Sequence, residues 1–411
     1  MKKIVIILMF MVSFLVAKKE EIKSFIPPVS EEWINLEIEP CDDKCLKKLI
    51  DENMLASFLS RFEGSKDAQL NKIYATYVTK SISKEPFNIP ADFDQTTIAV
   101  IIPQKVIKSY SIIVNNAILS YIIRQNANLN VKFFLIGDES SSSISSATNA
   151  IKSQNIKFII APMTANGVRN LAQNVQNDTL VFVPTIHKKA VGEMDSNFIF
   201  GGIDYEAQIS KLLMYANSNV ATFSDGSSLG NMLDGYVNNL SGGVIYGSIM
   251  QSGNLDLKRE ISGNSRLKNS SVFFNVPMVK AALLASQLKI YNADTYALLS
   301  TQINYDPMLL NFAQYSDIKN MYLATSITSV DQNLESINSI LKQALKYDWI
   351  AYSTSVGMDY IYSLINPSGN KIFNENIVNS QVVYDTLIYK TTPYGFELAT
   401  QPNLEQNGVS Q

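Results

Sequence analysis

The chain contains few residues of the types that usually bind metals. Its 411 residues include two cysteines and one histidine. A structural zinc site takes four ligands, mostly cysteine or histidine, and this chain has only three such residues in total. The sequence therefore predicts a protein without a metal centre, and nothing in it calls for another cofactor.

The chain also lacks an excess of positive charge. Lysine and arginine total 34 against 37 acidic residues, which gives a net charge of -3, and no basic stripe stands out. Proteins that bind nucleic acid usually carry such a basic surface. We therefore expect no nucleic-acid partner.

Signature motifs of common enzymes are missing as well. The chain has no Gly-x-Ser-x-Gly, phosphate-binding loop or dinucleotide fingerprint. Ser-x-x-Lys starts at several unrelated places, among them Ser81, Ser265 and Ser339. Its companion motif is incomplete, because Thr392 stands where glycine is required after Lys390 and Thr391. The lone His187 lies in a polar loop and is predicted to be exposed, so we expect no catalytic residues and no enzyme.

Long apolar runs are absent after the N-terminal segment. Residues 1–17 begin with a basic end at Lys2 and Lys3, continue as an apolar core from Ile4 to Val16 and end at Ala17. The core is shorter than the roughly 20 residues that span a bilayer. This pattern predicts a cleaved signal peptide, with a retained membrane anchor as the alternative. No cysteine follows the core to carry a lipid, so a periplasmic, unlipidated protein is expected.

Cys41 and Cys45 are the only cysteines. In an oxidising compartment an isolated pair is most simply a disulfide. Metal binding is the alternative, but it needs further ligands and His187 is far away in sequence. The pair predicts a disulfide that closes one turn near a helix start.

Residues 18–92 form a separate segment before the main body of the chain. Its prolines predict linkers at both ends. Apolar residues recur at helical spacing from Leu46 to Phe62 and again from Leu70 to Val78, with Gly64 between them. The pattern predicts an α-helical hairpin. A hairpin of this size cannot bury a large core alone. It is therefore expected to dock on the main body or on a partner.

From residue 93 onward, runs of β-branched residues alternate with helical patterns. The first run, Ile98 to Pro103, has no polar alternation and predicts a strand buried on both faces. Such alternation implies parallel sheets with right-handed crossovers. The series is too long for one sheet of usual size, so two α/β lobes are expected.

These strands and their order resemble the type I periplasmic binding protein superfamily, the two-lobed receptors typified by the leucine, isoleucine and valine binding proteins. The matching stretches are Ile98–Pro103, Val131–Asp138, Phe158–Pro162 and Val220–Gly226. The resemblance implies a hinge with three crossings between lobes. We expect lobe 1 at 93–217 plus 327–366, lobe 2 at 218–326 plus 367–400, and a tail at 401–411.

Within the superfamily the chain is most similar to the lipoprotein activators of penicillin-binding proteins. The helical segment before the first strand, the stretch Tyr347–Ala351 and the hairpin Tyr389–Leu398 carry this likeness. It implies a regulatory protein that binds an envelope partner in peptidoglycan assembly. The alternative is a receptor of an ABC transporter that binds an amino acid or a similar small polar ligand.

The resemblance also implies ligand-binding positions in the cleft. In amino-acid receptors of this fold the loop after the third strand binds the ligand carboxylate at a helix N-terminus. The corresponding residues here are Thr164, Ala165 and Asn166. Alternatively, Thr164 only caps its helix.

A second loop resembles the acidic turn that holds a ligand amino group. It contains Ser224 and Asp225, with Asp225 as the counter-charge. The alternative is ordinary Asp-Gly turn chemistry. Tyr110 and Tyr305 are predicted to line the cleft, although a buried tyrosine is more often part of a core.

Overall fold

The computed structural model of the chain describes residues 41–52, 54–62, 64–74, 96–251, 256–367 and 369–400. The predicted signal peptide at 1–17, the predicted tail at 401–411 and much of the predicted linkers lie outside the described residues. The chain divides into two compact units, Met1–Phe93 and Asp94–Gln411.

The first unit contains short helices around a small apolar core. Helix α1 spans Asp43–Asp51 and α2 spans Leu55–Arg61. The first helix of the predicted hairpin is therefore divided in two. Residues 68–74 are helical as well. The buried core side chains are Leu46, Leu49, Phe58 and Leu70.

A disulfide joins Cys41 to Cys45 at the start of α1, as predicted, with 5.2 Å between the Cα atoms. The side chain of Asp42 caps the same helix by accepting a hydrogen bond from the Cys45 N–H at 2.9 Å. A loop this short removes little entropy from the unfolded chain. The bond and the cap therefore act locally, on the first turn of α1.

The second unit contains all the described strands. In chain order they are β1 (Thr97–Ile102), β2 (Asn130–Leu135), β3 (Phe158–Ile160), β4 (Leu180–Val183), β5 (Phe198–Phe200), β6 (Val220–Ser224), β7 (Tyr246–Ile249), β8 (Ser271–Asn275), β9 (Ala297–Ser300), β10 (Met321–Thr325), β11 (Asn376–Val378), β12 (Gln381–Val383), β13 (Leu387–Thr392) and β14 (Gly395–Leu398).

Helices alternate with most of these strands. They are α3 (Gln104–Ile107), α4 (Tyr110–Gln125), α5 (Ser141–Ser153), α6 (Ala165–Ala172), α7 (Tyr205–Leu213), α8 (Ser228–Ser241), α9 (Lys258–Ile261), α10 (Met278–Ile290), α11 (Met308–Phe312), α12 (Tyr315–Ile318), α13 (Gln332–Ile340) and α14 (Trp349–Ile365). Within the described residues, three 3₁₀ turns occupy Lys188–Ala190, Ser265–Leu267 and Gln302–Asn304.

The first sheet has the order β11-β12-β5-β4-β3-β1-β2. Strand β1 pairs in parallel with β2 on one side and with β3 on the other. The chain therefore reverses its direction of travel across the sheet between β1 and β3. Only β11 runs antiparallel, against β12 at the edge.

The second sheet repeats the arrangement, with the order β14-β13-β10-β9-β8-β6-β7. Strand β6 lies between β7 and β8, in parallel with both. Strand β13 is antiparallel to β10 and to β14. Each sheet with its helices forms one lobe, and each lobe has a reversal point where open α/β sheets bind ligands beyond the carboxyl ends of their strands.

The composition of β1 explains its central place. Ile98 to Ile102 are all fully buried. Ile98 and Val100 belong to the core formed with α4 and α14, whereas Ala99 and Ile101 belong to the core formed with α5 and α6. A strand covered on both faces needs an unbroken apolar run, and this one has it.

The predicted two-lobed α/β fold with parallel sheets is confirmed, but the predicted boundaries between lobes need two corrections. Helix α7 was expected in lobe 1, yet its Ile209 and Leu212 pack in a lobe 2 core with Val220 and Leu233. The chain first crosses between lobes near residues 201–204.

The second correction concerns the end of the chain. Residues 367–400 were expected in lobe 2, yet β11 and β12 belong to the first sheet and only β13 and β14 to the second. The last crossing therefore lies at residues 384–386 rather than near 366. The intermediate crossing follows β10, because α13 packs on α4 of the first lobe.

Within the part of the chain that the structure describes, no helix combines the length and apolar character needed to cross a bilayer.

Candidate functional site

A cavity of about 440 Å³ lies between the two lobes, within the range typical of small-molecule sites. Lobe 2 contributes residues from the carboxyl ends of its central strands. Asp225 directly follows β6, and Asn275 ends the adjacent β8. The cavity therefore opens at the reversal point of the second sheet, where this class of sheet is expected to bind ligands.

Lobe 1 forms the other wall. Tyr110 begins α4, and Tyr347 to Ile350 lead into α14, the helix that packs against α4. Tyr205 at the first crossing also lines the cavity. Groups from both lobes thus meet across one space, which is what hinge closure around a ligand requires.

Aromatic rings connect the two lobes beside the cavity. The ring of Tyr305, on the lobe 2 side, lies 5.4 Å from the ring of Tyr347 and 5.2 Å from that of Tyr389. Burial, with added contributions from these two tyrosines, raises the pKa of Tyr305 well above its ordinary value. Its hydroxyl therefore stays neutral.

Three aspartates line the same cavity. In each, Oδ1 accepts hydrogen bonds from neighbouring backbone N–H groups: Asp225 from Ser227 at 3.0 Å, Asp306 from Met308 at 2.8 Å, and Asp348 from Ile350 and Ala351 at 3.0 Å. The Ser227 hydroxyl also donates to Asp225 Oδ1. Within the described residues, Oδ2 of all three aspartates is left without a hydrogen bond or ion pair.

The charge of one of these carboxyl groups, Asp306, acts on another, Asp348, across the cleft. Burial raises the pKa of Asp348 above its ordinary value, and the charge of Asp306 raises it further. Asp348 caps α14 in lobe 1, whereas Asp306 belongs to lobe 2. Among the described residues that line this cavity there is no lysine, arginine or histidine. The described part of the site therefore concentrates negative charge without a compensating cation.

Two buried amides add polar groups that lack partners. Asn275 donates through Nδ2 to Asp234 Oδ1 at 2.8 Å, which fixes the amide orientation. Gln302 accepts through Oε1 from the Ser326 N–H at 2.7 Å. Among the described residues, Asn275 Oδ1 and Gln302 Nε2 have no hydrogen-bond partner. Such groups are costly to bury, and both atoms are shielded from solvent beside the cavity.

A second cavity of about 430 Å³ adjoins the first and shares Tyr205, Leu229 and Trp349 with it. It contains the only ionic cluster of the described part of the cleft. Lys189 Nζ lies 3.0 Å from Asp204 Oδ2 and 2.6 Å from Glu206 Oε2. These contacts join the lobe 1 turn at Lys188–Ala190 to the start of α7.

His187 belongs to this second cavity, with its Nε2 3.7 Å from Asp204 Oδ2. The side chain is 18% exposed, so the predicted exposed loop position is wrong. Its Nδ1 accepts a hydrogen bond from the Lys189 N–H. Burial lowers the pKa of His187, although the Asp204 carboxylate opposes this. The ring is therefore mainly neutral at pH 7.

The predicted ligand residues are distributed unevenly. Tyr110, Asp225 and Tyr305 line the first cavity, and Ala165 lines the second. Three others line neither: Thr164, Asn166 and Ser224. Ser224 is fully buried at the end of β6, and Asn166 accepts a hydrogen bond from Arg169.

Thr164 has a structural task. Its side chain caps α6 by accepting from the Gly167 N–H, which fits the alternative interpretation of this residue. The carboxylate of Glu139, from the loop after β2, lies at the same helix end. Glu139 Oε1 accepts from the Thr164 N–H at 2.7 Å, and Oε2 accepts from the Thr164 hydroxyl. An internal carboxylate therefore occupies the position predicted for a ligand carboxylate.

Sequence reasoning missed Asn275, Gln302, Asp306 and Asp348. Asn275 and Gln302 are polar residues at or just beyond the carboxyl ends of apolar strands, a signal that is visible in sequence. Asp306 and Asp348 resemble ordinary caps, and nothing local distinguishes a cap beside a cleft from any other.

No protein-family model matches the sequence, and no curated protein matches it. Solved structures match the fold. A putative branched-chain amino acid ABC transporter protein from Rhodospirillum rubrum has a TM-score of 0.59 and 10% identity, covering 74% of this chain and 100% of that one. The substrate-binding protein of a branched-chain amino acid transporter from Streptococcus pneumoniae, in complex with isoleucine, has a TM-score of 0.53 and 11% identity, covering 74% and 98%.

A solute-binding protein of an ABC transporter from Rhodopseudomonas palustris, in complex with p-hydroxybenzoic acid, has a TM-score of 0.55 and 12% identity, covering 75% and 96%. These likenesses confirm the two-lobed fold of the type I periplasmic binding proteins. They do not confirm the narrower resemblance to activators of penicillin-binding proteins.

Proposed function

We propose that the protein is a non-enzymatic solute-binding protein that captures a small polar ligand between its two lobes. The observation that carries this proposal is the cavity whose polar groups come from both sides of the hinge. Asp306 faces it from lobe 2 and Asp348 from lobe 1. On the lobe 2 wall the cavity is also lined by the buried polar residues Asn275 and Gln302.

Binding would act through closure of the hinge. A ligand that contacts both lobes favours the closed state by its differential affinity for that state. Without ligand, the charge of Asp306 acts unfavourably on Asp348 across the cleft. A ligand that neutralises this repulsion supplies free energy that depends on the lobes being close together.

The solved structures named above are described as transporter or solute-binding proteins, and they favour solute capture over the envelope-assembly role that the sequence suggested first. The cavity is consistent with this choice, because a protein acting only through a partner does not need an open polar cleft. An envelope protein partner and a periplasmic location stay predictions. A soluble receptor in the periplasm would serve an ABC transporter of the inner membrane.

Thermal unfolding and small-angle X-ray scattering test the proposal together. Purified protein is screened against amino acids, amines, organic acids, sugars and peptidoglycan fragments. We expect at least one solute to raise the unfolding temperature saturably, because a ligand that binds only the folded state stabilises it. The same solute should reduce the radius of gyration as the lobes close.

Matched variants locate the effect. Asp306→Asn changes a carboxyl group in the cavity, whereas Asp195→Asn makes the same change at an exposed position outside it. The solute effect should weaken in Asp306→Asn and persist in Asp195→Asn. A library that changes neither unfolding temperature nor scattering would contradict solute capture and restore the partner-binding role as the leading hypothesis.

A further inference from the structure

We propose that the ligand of this cleft is a small organic amine that carries a positive charge, an apolar or aromatic body and no carboxylate group. The inference rests on the proposed function and specifies its ligand class. It depends on the charges and rings of the cavity and on the carboxylate at the start of α6.

The charges of the cavity require a cation. Asp225, Asp306 and Asp348 line one space of about 440 Å³, and each keeps Oδ2 without a partner among the described residues. Neither Lys189 nor Lys346 lines this cavity. Lys189 is bound to Asp204 and Glu206, and Lys346 lies 5.6 Å from the Tyr347 ring without lining the cavity. A ligand ammonium group would therefore be the main counter-charge.

The rings of the cavity suit the same ligand. Among the described residues, five aromatic side chains line it: Tyr110, Tyr205, Tyr305, Tyr347 and Trp349. Aromatic faces attract cations and also bury an apolar body. Carboxylates combined with aromatic rings recognise organic cations, whereas a metal ion would leave most of this aromatic surface unused.

Two amides on the lobe 2 wall carry polar atoms that lack partners within the described residues. Asn275 Oδ1 is an acceptor, because Nδ2 of the same amide is held by Asp234. Gln302 Nε2 is a donor, because its Oε1 is held by the Ser326 N–H. Both atoms are shielded from solvent, so the inference rests on the charges and rings of the cavity and on Glu139.

A carboxylate on the ligand has no favourable place. The loop after β3, where the sequence predicted carboxylate binding, already holds Glu139 on the Thr164 N–H and hydroxyl. A Cβ added at Gly167 would collide with the same carboxylate, so Glu139 fits closely into that helix end. The carboxylate of an amino-acid zwitterion could not bind at this occupied helix end. It would also add a negative charge beside the three cavity aspartates.

Two matched series of compounds test the charge preference by isothermal titration calorimetry on the wild-type chain. The aromatic series is tyramine, 4-hydroxyphenethyl alcohol, 4-hydroxyphenylacetate and tyrosine. The aliphatic series is isoamylamine, isoamyl alcohol, 4-methylpentanoate and leucine. In at least one series we expect the amine to bind about tenfold or more tightly than the alcohol, with binding weakened by salt, and no measurable binding of the carboxylate or the zwitterion.

Variants connect the preference to the aspartates. Replacing Asp306→Asn and Asp348→Asn together should weaken amine binding about tenfold or more, while Asp195→Asn should leave it unchanged. Asparagine retains an oxygen that can accept the same backbone N–H groups as each aspartate, so the fold should survive. The compound series on the wild-type chain does not depend on these variants.

The outcomes separate this inference from the proposed function. Tighter binding of a zwitterion, carboxylate or neutral compound than of its matched amine would overturn the charge class and leave solute capture intact. Absence of binding by both amines would also overturn it, while the wider solute library would still decide whether the cleft captures solutes. If neither the compound series nor the solute library shows binding, both the ligand class and the proposed solute capture are contradicted.

Discussion

The backbone N–H of Thr164 donates a hydrogen bond to Glu139 Oε1 at 2.7 Å, and the hydroxyl of Thr164 contacts the other oxygen of the same carboxylate. The hydrogen-bond donors at the start of α6 are thus bound by a side chain of the same protein. Helix N-termini attract anions, and in this protein the anion is a side chain. In lobe 1 the polar groups at the start of α6 are therefore already bound by Glu139. Most of the unpaired polar groups beside the cleft belong to lobe 2.

Replacing Glu139→Ala should expose these donors. We expect a loss of about 1–2 kcal/mol in the free energy of unfolding, because a charge-assisted contact with the helix end is removed. Urea unfolding measures this, and added acetate should recover part of it by occupying the freed site. Glu193→Ala, at an exposed position, is the control. Equal stability of the two variants would contradict the role given to Glu139.

Two glycines inside helices should respond in opposite directions to alanine. A Cβ at Gly357 in α14 would collide with the ring of Phe182, whereas one at Gly235 in α8 meets nothing within 4 Å. Gly357→Ala should cost about 1–3 kcal/mol through overpacking. Gly235→Ala should gain about 0.5–1 kcal/mol through helix propensity. Equal effects in urea unfolding would show that α14 is not packed closely on β4.

The pH dependence of stability should change when Asp348 is replaced. The pKa of Asp348 is raised above 3.8 in the folded state by burial and by Asp306. Its contribution to stability is therefore present at low pH and lost as pH rises through the folded pKa. Asp348→Asn does not lose this contribution as pH rises. The difference in the free energy of unfolding, variant minus wild type, should therefore be larger at neutral pH than at a pH below 3.8.

Asp178 supplies a control of opposite sign for this titration. The hydrogen bond from Lys157 lowers its pKa below 3.8. Its contribution is present at neutral pH and lost as pH falls through the folded pKa. Asp178→Asn should therefore lose stability relative to the wild type at neutral pH, by a small amount because the pair is exposed. The same slope for both variants in pH-dependent urea unfolding would contradict the assignment.

The aromatic contact between lobes should also be measurable. The rings of Tyr305 and Tyr347 lie 5.4 Å apart, and such a pair is worth about 0.5–1.5 kcal/mol beyond its buried area. Tyr347→Leu should lower the free energy of unfolding by about this amount and increase the radius of gyration. Tyr394→Leu, at a side chain that is 98% exposed, should change neither. A variant at Tyr347 with unchanged scattering would show that the contact does not hold the lobes together.

The sequence predicts the central strands well because strands buried on both faces consist of unbroken apolar runs. Ile98 to Ile102 could hardly be anything except a strand between two layers of helices. It predicts lobe membership poorly, because a helix after a strand carries no local mark of the sheet on which it packs. Helix α7 follows β5 in the usual manner and yet belongs to the other lobe.

In the cleft, too, some residues could be predicted from the sequence and others could not. Asp225 was predicted because its loop resembles a known ligand turn, and it lines the cavity. The opposing pair Asp306 and Asp348 depends on two segments that meet only after the lobes are formed, so no spacing in the sequence reveals it. The role of Glu139 depends in the same way on the pairing of β1 with both β2 and β3.

The central claim is that a solute bridges the two lobes through this cavity. Electron spin resonance between labels at Lys152→Cys in α5 and Lys289→Cys in α10, both exposed, measures the separation of the lobes. With saturating tyramine or isoamylamine, we predict a shorter and narrower distance distribution, which reverts when Asp306→Asn and Asp348→Asn are introduced. A distribution that neither amine nor any solute of the library changes would contradict the account.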